Sequence, residues 1–436
     1  MSHNVLSHRR RKNDKFRKSG EKMISLKNLK MDRTARFILG FGVFAILQNM
    51  GFYMIASVLM PQRLKDIGID NPDALLGTIN AAGAMLSLFV NVFVGSMSDR
   101  TRSRFGKRTP WYLAGAVIAA ISFYLIGTPG TGIGILLAYC FANIGQNMMT
   151  APIVATLSDR VPEWNRGIVS AAYGGGITVG QAIGTFFGSL FIFRTGIGFA
   201  SAGAMYIFAG ILAFLLLPRE PRNDTEQVNR EREPIWRVIM KAFTPPMHAP
   251  DFWKAFICRT SLIVAYQMIA SYQLYILQDH IGQTKAHAAS VISIMSLITM
   301  VVAFIASITS GPISDKIGKR KPPVILSCGL YAIGIAMPWI FPTTMGMLLF
   351  AGIAGFGYGM YMSVDQALNV DVLPNKKNAG KDLGFLNMAS CAGQAIGAVI
   401  TSTLVTIVGS YIPVFPVAIV ITVIAALSVW SIKGVK

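Results

Sequence analysis

Residues 95–110 read GSMSDRTRSRFGKRTP, and residues 311–322 read GPISDKIGKRKP. Each copy closes a long apolar run with a glycine, a Ser-Asp pair and a burst of Lys and Arg. Further echoes follow: Ser158-Asp159-Arg160-Val161-Pro162 and then Gln181-Ala182-Ile183-Gly184, against Asp371-Val372-Leu373-Pro374 and then Gln394-Ala395-Ile396-Gly397. The offsets from Gly95 to Gly311, Asp159 to Asp371 and Gln181 to Gln394 are 216, 212 and 213 residues. Three echoes in one order at one spacing mark a chain built from two copies of a single unit.

The copies are membrane units. A chain of 436 residues with 53% apolar and 14% charged residues is too apolar for a soluble protein of its size. About twelve runs are long enough to cross a hydrocarbon core of roughly 30 Å. The expected fold is an all-α membrane protein with twelve transmembrane helices in two pseudo-symmetric six-helix bundles. A basic cytoplasmic tail (1–36) precedes the first bundle (37–217). A cytoplasmic linker (218–251) leads to the second (252–432), and a short cytoplasmic end (433–436) follows.

The net charge of +20 alternates with the loops. With the N-terminus inside, the tail, 98–109, 158–166, 218–251, 313–322, 372–380 and 433–436 hold most of the Lys and Arg; the other side has little beyond Arg63, Lys65, Arg194 and Lys285. That is the positive-inside pattern of a multi-pass protein of the cell membrane with both termini cytoplasmic. The charge therefore encodes orientation rather than a nucleic-acid partner. Cys140, Cys258, Cys328 and Cys391 all fall within expected spans, so neither disulfides nor a metal site are indicated, and no cofactor is expected. The patch Ile235, Trp236, Val238, Ile239 and Phe243 has the pattern of a short surface helix.

Strongly polar side chains recur at every third span. The first carries Gln48, Asn49 and Tyr53, the fourth Asn143, Gln146 and Asn147, the seventh Arg259, Gln267 and Gln273, and the tenth Asp365, Gln366 and Asn369. The third, sixth, ninth and twelfth carry none. Such groups cannot face lipid cheaply, so spans one, four, seven and ten should line a central cavity. This is the nested repeat of a secondary transporter with its site near the midplane. Asp365 shares a helical face with Tyr358, Met362 and Asn369, with Tyr361 at its edge. Its expected partner is Arg259, either as a coupling or substrate group or as a structural pair. Asn49, Tyr53, Gln146, Asn147, Thr150, Tyr266, Gln267 and Gln273 complete the candidate lining, a neutral set suited to a polyhydroxylated small molecule. The six Trp residues lie in loops or at span ends, so Tyr would have to supply any stacking platform.

The two loops, Gly95-x-x-Ser98-Asp99-Arg100 with Gly106-Lys107-Arg108, and Gly311-x-x-Ser314-Asp315-Lys316-x-Gly318-Lys319-Arg320, resemble the signature loop of the major facilitator superfamily. The insertion Thr101-Arg102-Ser103-Arg104-Phe105 is similar to the form in glycoside-pentoside-hexuronide/cation symporters. Asp365-Gln366-Ala367-Leu368, Asp371-Val372-Leu373-Pro374 and Asp382-Leu383-Gly384 are similar to sucrose-carrier-like bacterial members.

The resemblance implies a monomeric secondary active transporter, not an enzyme, that moves a sugar or glycoside by alternating access with proton coupling. It also implies a cytoplasmic gate of Gly95, Asp99, Arg100, Arg108, Arg166, Gly311, Asp315, Arg320 and Lys381. Gly95 and Gly311 would allow close helix approach. Asp99 would meet the start of span eleven near Lys381, and Asp315 the start of span five near Arg166 and Gly167. Carboxylates within spans one, two and four, which melibiose-permease-like members have for sodium, are missing, and so is the Arg in span four expected of sucrose-type carriers; sodium coupling is therefore not indicated, and sugar specificity rests on the subfamily likeness alone. The alternatives are a proton-antiport exporter of drugs or metabolites and a non-transporting membrane sensor or lipid-handling protein.

Overall fold

The computed structural model describes residues 33–128, 130–218, 237, 240, 243, 244, 246–373 and 379–433. Twelve long helices run in chain order: α1 (Arg33–Met54), α2 (Pro72–Arg100), α3 (Thr109–Ile126), α4 (Gly132–Arg160), α5 (Glu163–Leu190), α6 (Thr195–Leu216), α7 (Pro250–Ala270), α8 (Lys285–Ile317), α9 (Lys321–Ile340), α10 (Thr344–Asp371), α11 (Ala379–Val408) and α12 (Val414–Trp430). Eight of the described helices are long and apolar enough by themselves to cross a membrane. The exceptions are physical: α4, α5 and α7 are diluted by the polar or glycine residues they turn inward, and α12 has only 17 residues.

Packing repeats the sequence symmetry. Helix α1 lies on α5 and α6 while α7 lies on α11 and α12; α4 lies on α2 and α3 while α10 lies on α8 and α9. The halves meet through α2 on α11 and α5 on α8, again equivalent pairs. Helices α3, α6, α9 and α12 turn large apolar side chains outward, among them Ile121, Phe208, Ile333 and Val423.

Within a bilayer apolar side chains gain little by leaving lipid for protein, so helix pairs depend on close backbone approach. Gly176, Gly180, Gly184 and Gly188 form one stripe of α5. A Cβ there would sit 2.3–2.8 Å from α1 carbonyl oxygens of Gly42, Ile46, Met50 and Met54. Gly393 and Gly397 of α11 meet Thr260 and Val264 of α7 in the same way. The glycines of the signature loops do something else: Gly106 and Gly318 have φ of +98° and +66°, a backbone that other residues rarely adopt.

Both α1 and α7 continue past their ends through a wide turn. The Met60 amide reaches back five residues to the Ile55 carbonyl before a further helical stretch, Met60–Asp66. Helix α7, expected to be one span over 252–280, breaks at Ser271–Tyr272, and after Gln273–Tyr275 the Ile281 amide reaches the Ile276 carbonyl. The wider turn rotates each extension, and the two extensions meet. Gln278 donates to Gln62 at 3.1 Å, Lys65 pairs with Asp279 at 2.6 Å and Lys285 with Asp66 at 3.0 Å. The Tyr275 hydroxyl donates to the Pro61 carbonyl at 2.8 Å, Tyr411 bonds Asp73, and Ser189 bonds Ser293. These contacts seal the end of the bundle opposite the basic loops.

At the basic end the halves part. Gly95, Gly167, Gly174, Gly175, Gly311 and Gly384 have nothing within 4 Å of a Cβ position. Among the described residues, no hydrogen bond or ion pair joins the two halves there. The close approach expected at Gly95 and Gly311 is therefore not made in this conformation. Residues 1–32 of the tail, and Ile235, Trp236, Val238 and Ile239 of the expected surface helix, lie outside the described residues; Phe243 stacks on Phe89 of α2.

Two measurements test this account. Gly184→Ala gains about 1 kcal/mol of helix propensity but meets the Met50 carbonyl at 2.3 Å, an overpacking that costs about 1–3 kcal/mol. A lower thermal midpoint in detergent is expected, while Gly174→Ala, facing open space, should leave the midpoint unchanged or raised. Lys65→Glu sets like charges against Asp279, so spin labels on the two extensions should move apart, and Lys65→Glu with Asp279→Lys should restore the wild-type distance.

Candidate functional site

The deepest charges form one cluster in the second half. Arg259, nine residues into α7, directs its guanidinium to three acceptors: Asp365 Oδ2 at 2.6 Å, Ser390 Oγ at 2.9 Å and Asn387 Oδ1 at 3.1 Å. Asp365 on α10 accepts in addition from the Tyr361 hydroxyl at 2.7 Å and from the Asn369 amide at 2.9 Å. Arg259 is 8% and Asp365 3% exposed, so both are removed from water and from lipid headgroups. The i, i+4 spacing of Tyr361, Asp365 and Asn369 places both donors around one carboxylate. A buried pair of this kind is stable only when its remaining hydrogen-bonding capacity is filled, and here three helices fill it. The Asn369 side-chain oxygen has no hydrogen-bond partner among the described residues.

Beside the pair lies an aromatic group near the middle of the bundle. Tyr266 of α7 stacks on Tyr358 of α10 with centroids 4.2 Å apart and planes 15° apart. Gln181, from α5 in the other half, donates to the Tyr266 hydroxyl at 2.6 Å. Tyr53 of α1 lies in the neighbourhood of these rings. The Gln181–Tyr266 bond thus joins the first half to the helix that carries Arg259. Gln181 was legible in the sequence only as a repeat marker; its place opposite Tyr266 depends on the packing of two halves.

Other expected lining residues are committed elsewhere. Asn147 is 6% exposed and ties α4 to α2, accepting from Asn91 at 3.3 Å and donating to Ser87 at 2.9 Å. Asn49 donates to the Ala45 carbonyl of its own helix and faces Gly180. The Gln146 carbonyl accepts from Gln48 and Thr150. Gln267 turns away from the centre, bonding Ser271 and packing on Gly397 of α11. Gln273 lies in the extension of α7, at the sealed end. Asn147 is thus satisfied by a neighbouring helix and Asn49 and Gln267 within their own, the commoner fate of a membrane-embedded amide, whereas the bonds at Gln146 use its backbone carbonyl rather than its side chain.

The signature loops are wired within their own halves. Arg108, 1% exposed, bridges Asp99 at 3.1 Å and Asp159 at the end of α4, with Lys107 at 3.4 and 3.6 Å from the same carboxylates. In the second copy Arg320 lies 3.7 Å from Asp371 and donates to Ser314 at 3.1 Å. Asp99 therefore meets its own loop and α4 rather than the start of α11, because the halves are separated at this end. Arg166 donates to the carbonyls of Ser158 and Val161. Arg100 lies at the C-terminal end of α2; the side chains of Asp315 and Lys381 lie outside the described residues. The equal offsets of Arg108 to Arg320 and Asp159 to Asp371, both 212 residues, were the available signal for these pairs.

The comparisons agree with this geometry at the level of fold. The family model described as Major Facilitator Superfamily matches residues 41–308 and 255–434. A sucrose transport protein of Arabidopsis thaliana is 29% identical over 167 residues; the match spans 33% of this chain and only about a third, 32%, of that protein. An uncharacterized MFS-type transporter of Methanocaldococcus jannaschii is 21% identical over 378 residues, 86% of this chain and 92% of its own. A variant of the nucleoside transporter NupG superposes with a TM-score of 0.73 at 15% identity, covering 91% of this chain and 99% of its own. A bacterial homologue of the human lysosomal transporter Spinster, inward-facing and occupied, superposes with a TM-score of 0.68 at 16% identity, over 90% and 95%. With the family model matched twice along the chain, twelve long helices among the described residues and duplicated signature loops, this chain belongs to the major facilitator superfamily of membrane transporters.

Proposed function

We propose that the protein is a proton-coupled secondary transporter of a neutral, polyhydroxylated small molecule, a sugar or glycoside, in the cytoplasmic membrane with both termini inside. The observation that carries this reading is the central site: Gln181 of one half and Tyr266 of the other are joined at 2.6 Å beside the buried Arg259–Asp365 pair. A substrate between them would contact both halves and could be released only by their relative motion. The positive-inside loops make the basic end cytoplasmic. The structure then corresponds to an inward-open state, sealed by the extensions of α1 and α7.

The coupling role of Asp365 follows from its surroundings. Its charge is held by three donors, of which only Arg259 is cationic. Separating the pair leaves a buried charge uncompensated, which a proton can neutralise. Hydroxyl and amide groups around stacked rings suit a sugar, and the partial likeness to a plant sucrose transport protein supports that class. The parallel Tyr266 and Tyr358 rings also favour a second reading, a ligand with a planar ring such as a nucleoside. The fold shared with a nucleoside transporter accords with it.

Proteoliposomes with an imposed pH gradient, supplied with labelled sucrose, maltose or uridine, test both. Gradient-driven accumulation of a sugar supports the first reading, and accumulation of uridine alone replaces it with the second. Asp365→Asn should abolish accumulation while substrate exchange persists; accumulation at the wild-type level would remove Asp365 from coupling. Arg259→Ala should cost about 3–5 kcal/mol of stability by stranding the carboxylate. Arg259→Met with Asp365→Leu should restore the folded protein without restoring accumulation.

A further inference from the structure

The two halves differ at one place on the lipid-facing surface. In the first, the signature loop, four residues longer between Arg100 and Gly106 than its counterpart, carries Phe105 to the basic end of α6, where it packs edge-on against Phe214 with centroids 6.3 Å apart. The second copy of the loop has no such insertion. At the equivalent position, where α9 packs on α12, an open groove of about 870 Å³ remains, lined by Lys319, Lys321, Pro322, Ile325, Leu326 and Trp430. Its apolar wall is exposed: Leu326 is 56% and Trp430 71% accessible.

The charges differ in the same sense. Lys107 of the first half is within 3.6 Å of two carboxylates. Its counterpart Lys319, and Lys321 beside it, have no carboxylate partner among the described residues. Lys321 donates to the Ile432 carbonyl, which caps the chain beyond α12 and keeps its ammonium at the rim. The groove also opens at the N-terminus of the 20-residue α9, whose dipole favours an anion. An amphipathic tryptophan at headgroup depth, an apolar wall below it and two uncompensated cations above it match a phospholipid with an anionic headgroup.

We propose that this groove binds an anionic phospholipid of the leaflet at the basic end. Its phosphate lies against Lys319 and Lys321, and its acyl chain lies on Ile325 and Leu326, at the end of the bundle where Phe105 packs on Phe214 in the other half. Native mass spectrometry of the detergent-purified protein, titrated with phosphatidylglycerol and with phosphatidylcholine, tests this. One retained phosphatidylglycerol, at least fivefold favoured over phosphatidylcholine, is expected. Lys319→Gln with Lys321→Gln should weaken retention by roughly tenfold or more, each cation near a lipid surface being worth several-fold. Leu326→Trp, which fills the groove and keeps both lysines, should weaken it as well. Arg102→Gln with Arg104→Gln, on the loop of the other half, should leave it intact. Thermal midpoints report whether each variant is folded. Equal retention in the Lys319/Lys321 variant, an equal loss in the Arg102/Arg104 variant, or full displacement by inorganic phosphate would overturn the assignment.

Discussion

Backbone contact at glycine is the constraint on which the rest depends. In lipid, two apolar helix faces gain little by meeting, so a helix pair lasts where its backbones approach closely enough for dispersion over many atoms. The glycine stripe of α5 brings α1 that close, and Gly393 and Gly397 of α11 do the same for α7. Each half is thereby packed backbone to backbone along one seam.

Much of this was legible in the sequence, for reasons that can be named. The twelve helices follow from apolar length and the halves from the repeat offsets, because both are properties of contiguous residues. The Arg259–Asp365 pair was legible because a charge within a span needs a partner and few were available. The fates of Asn147, Gln267 and Asn49 were not legible. A polar amide on a helix has several faces to turn to, and rotation about the helix axis decides between the cavity and a neighbour. The seal escaped for a related reason: Lys65, Asp66, Asp279 and Lys285 read as loop charges until the wide turns after α1 and α7 set them face to face.

The two charged networks divide the work of the molecule. The Arg108 and Arg320 networks lie at the basic end and hold each signature loop to the helix before its half's second turn-back, so they stabilise the separate halves. The Arg259–Asp365 pair lies inside one half, on the same two helices whose stacked tyrosines meet Gln181 of the other half.

Gln62 and Gln278 are counterparts in the repeat, and they bond to each other. The pairs Lys65–Asp279 and Asp66–Lys285 cross the same seam with their charges in opposite order. The interface thus approximates the two-fold contact of a dimer contained in one chain. Both ion pairs cross the same seam between the two extensions, so parting the halves at this end requires both to break. The seal is therefore the product of two short segments, each set by one wide turn.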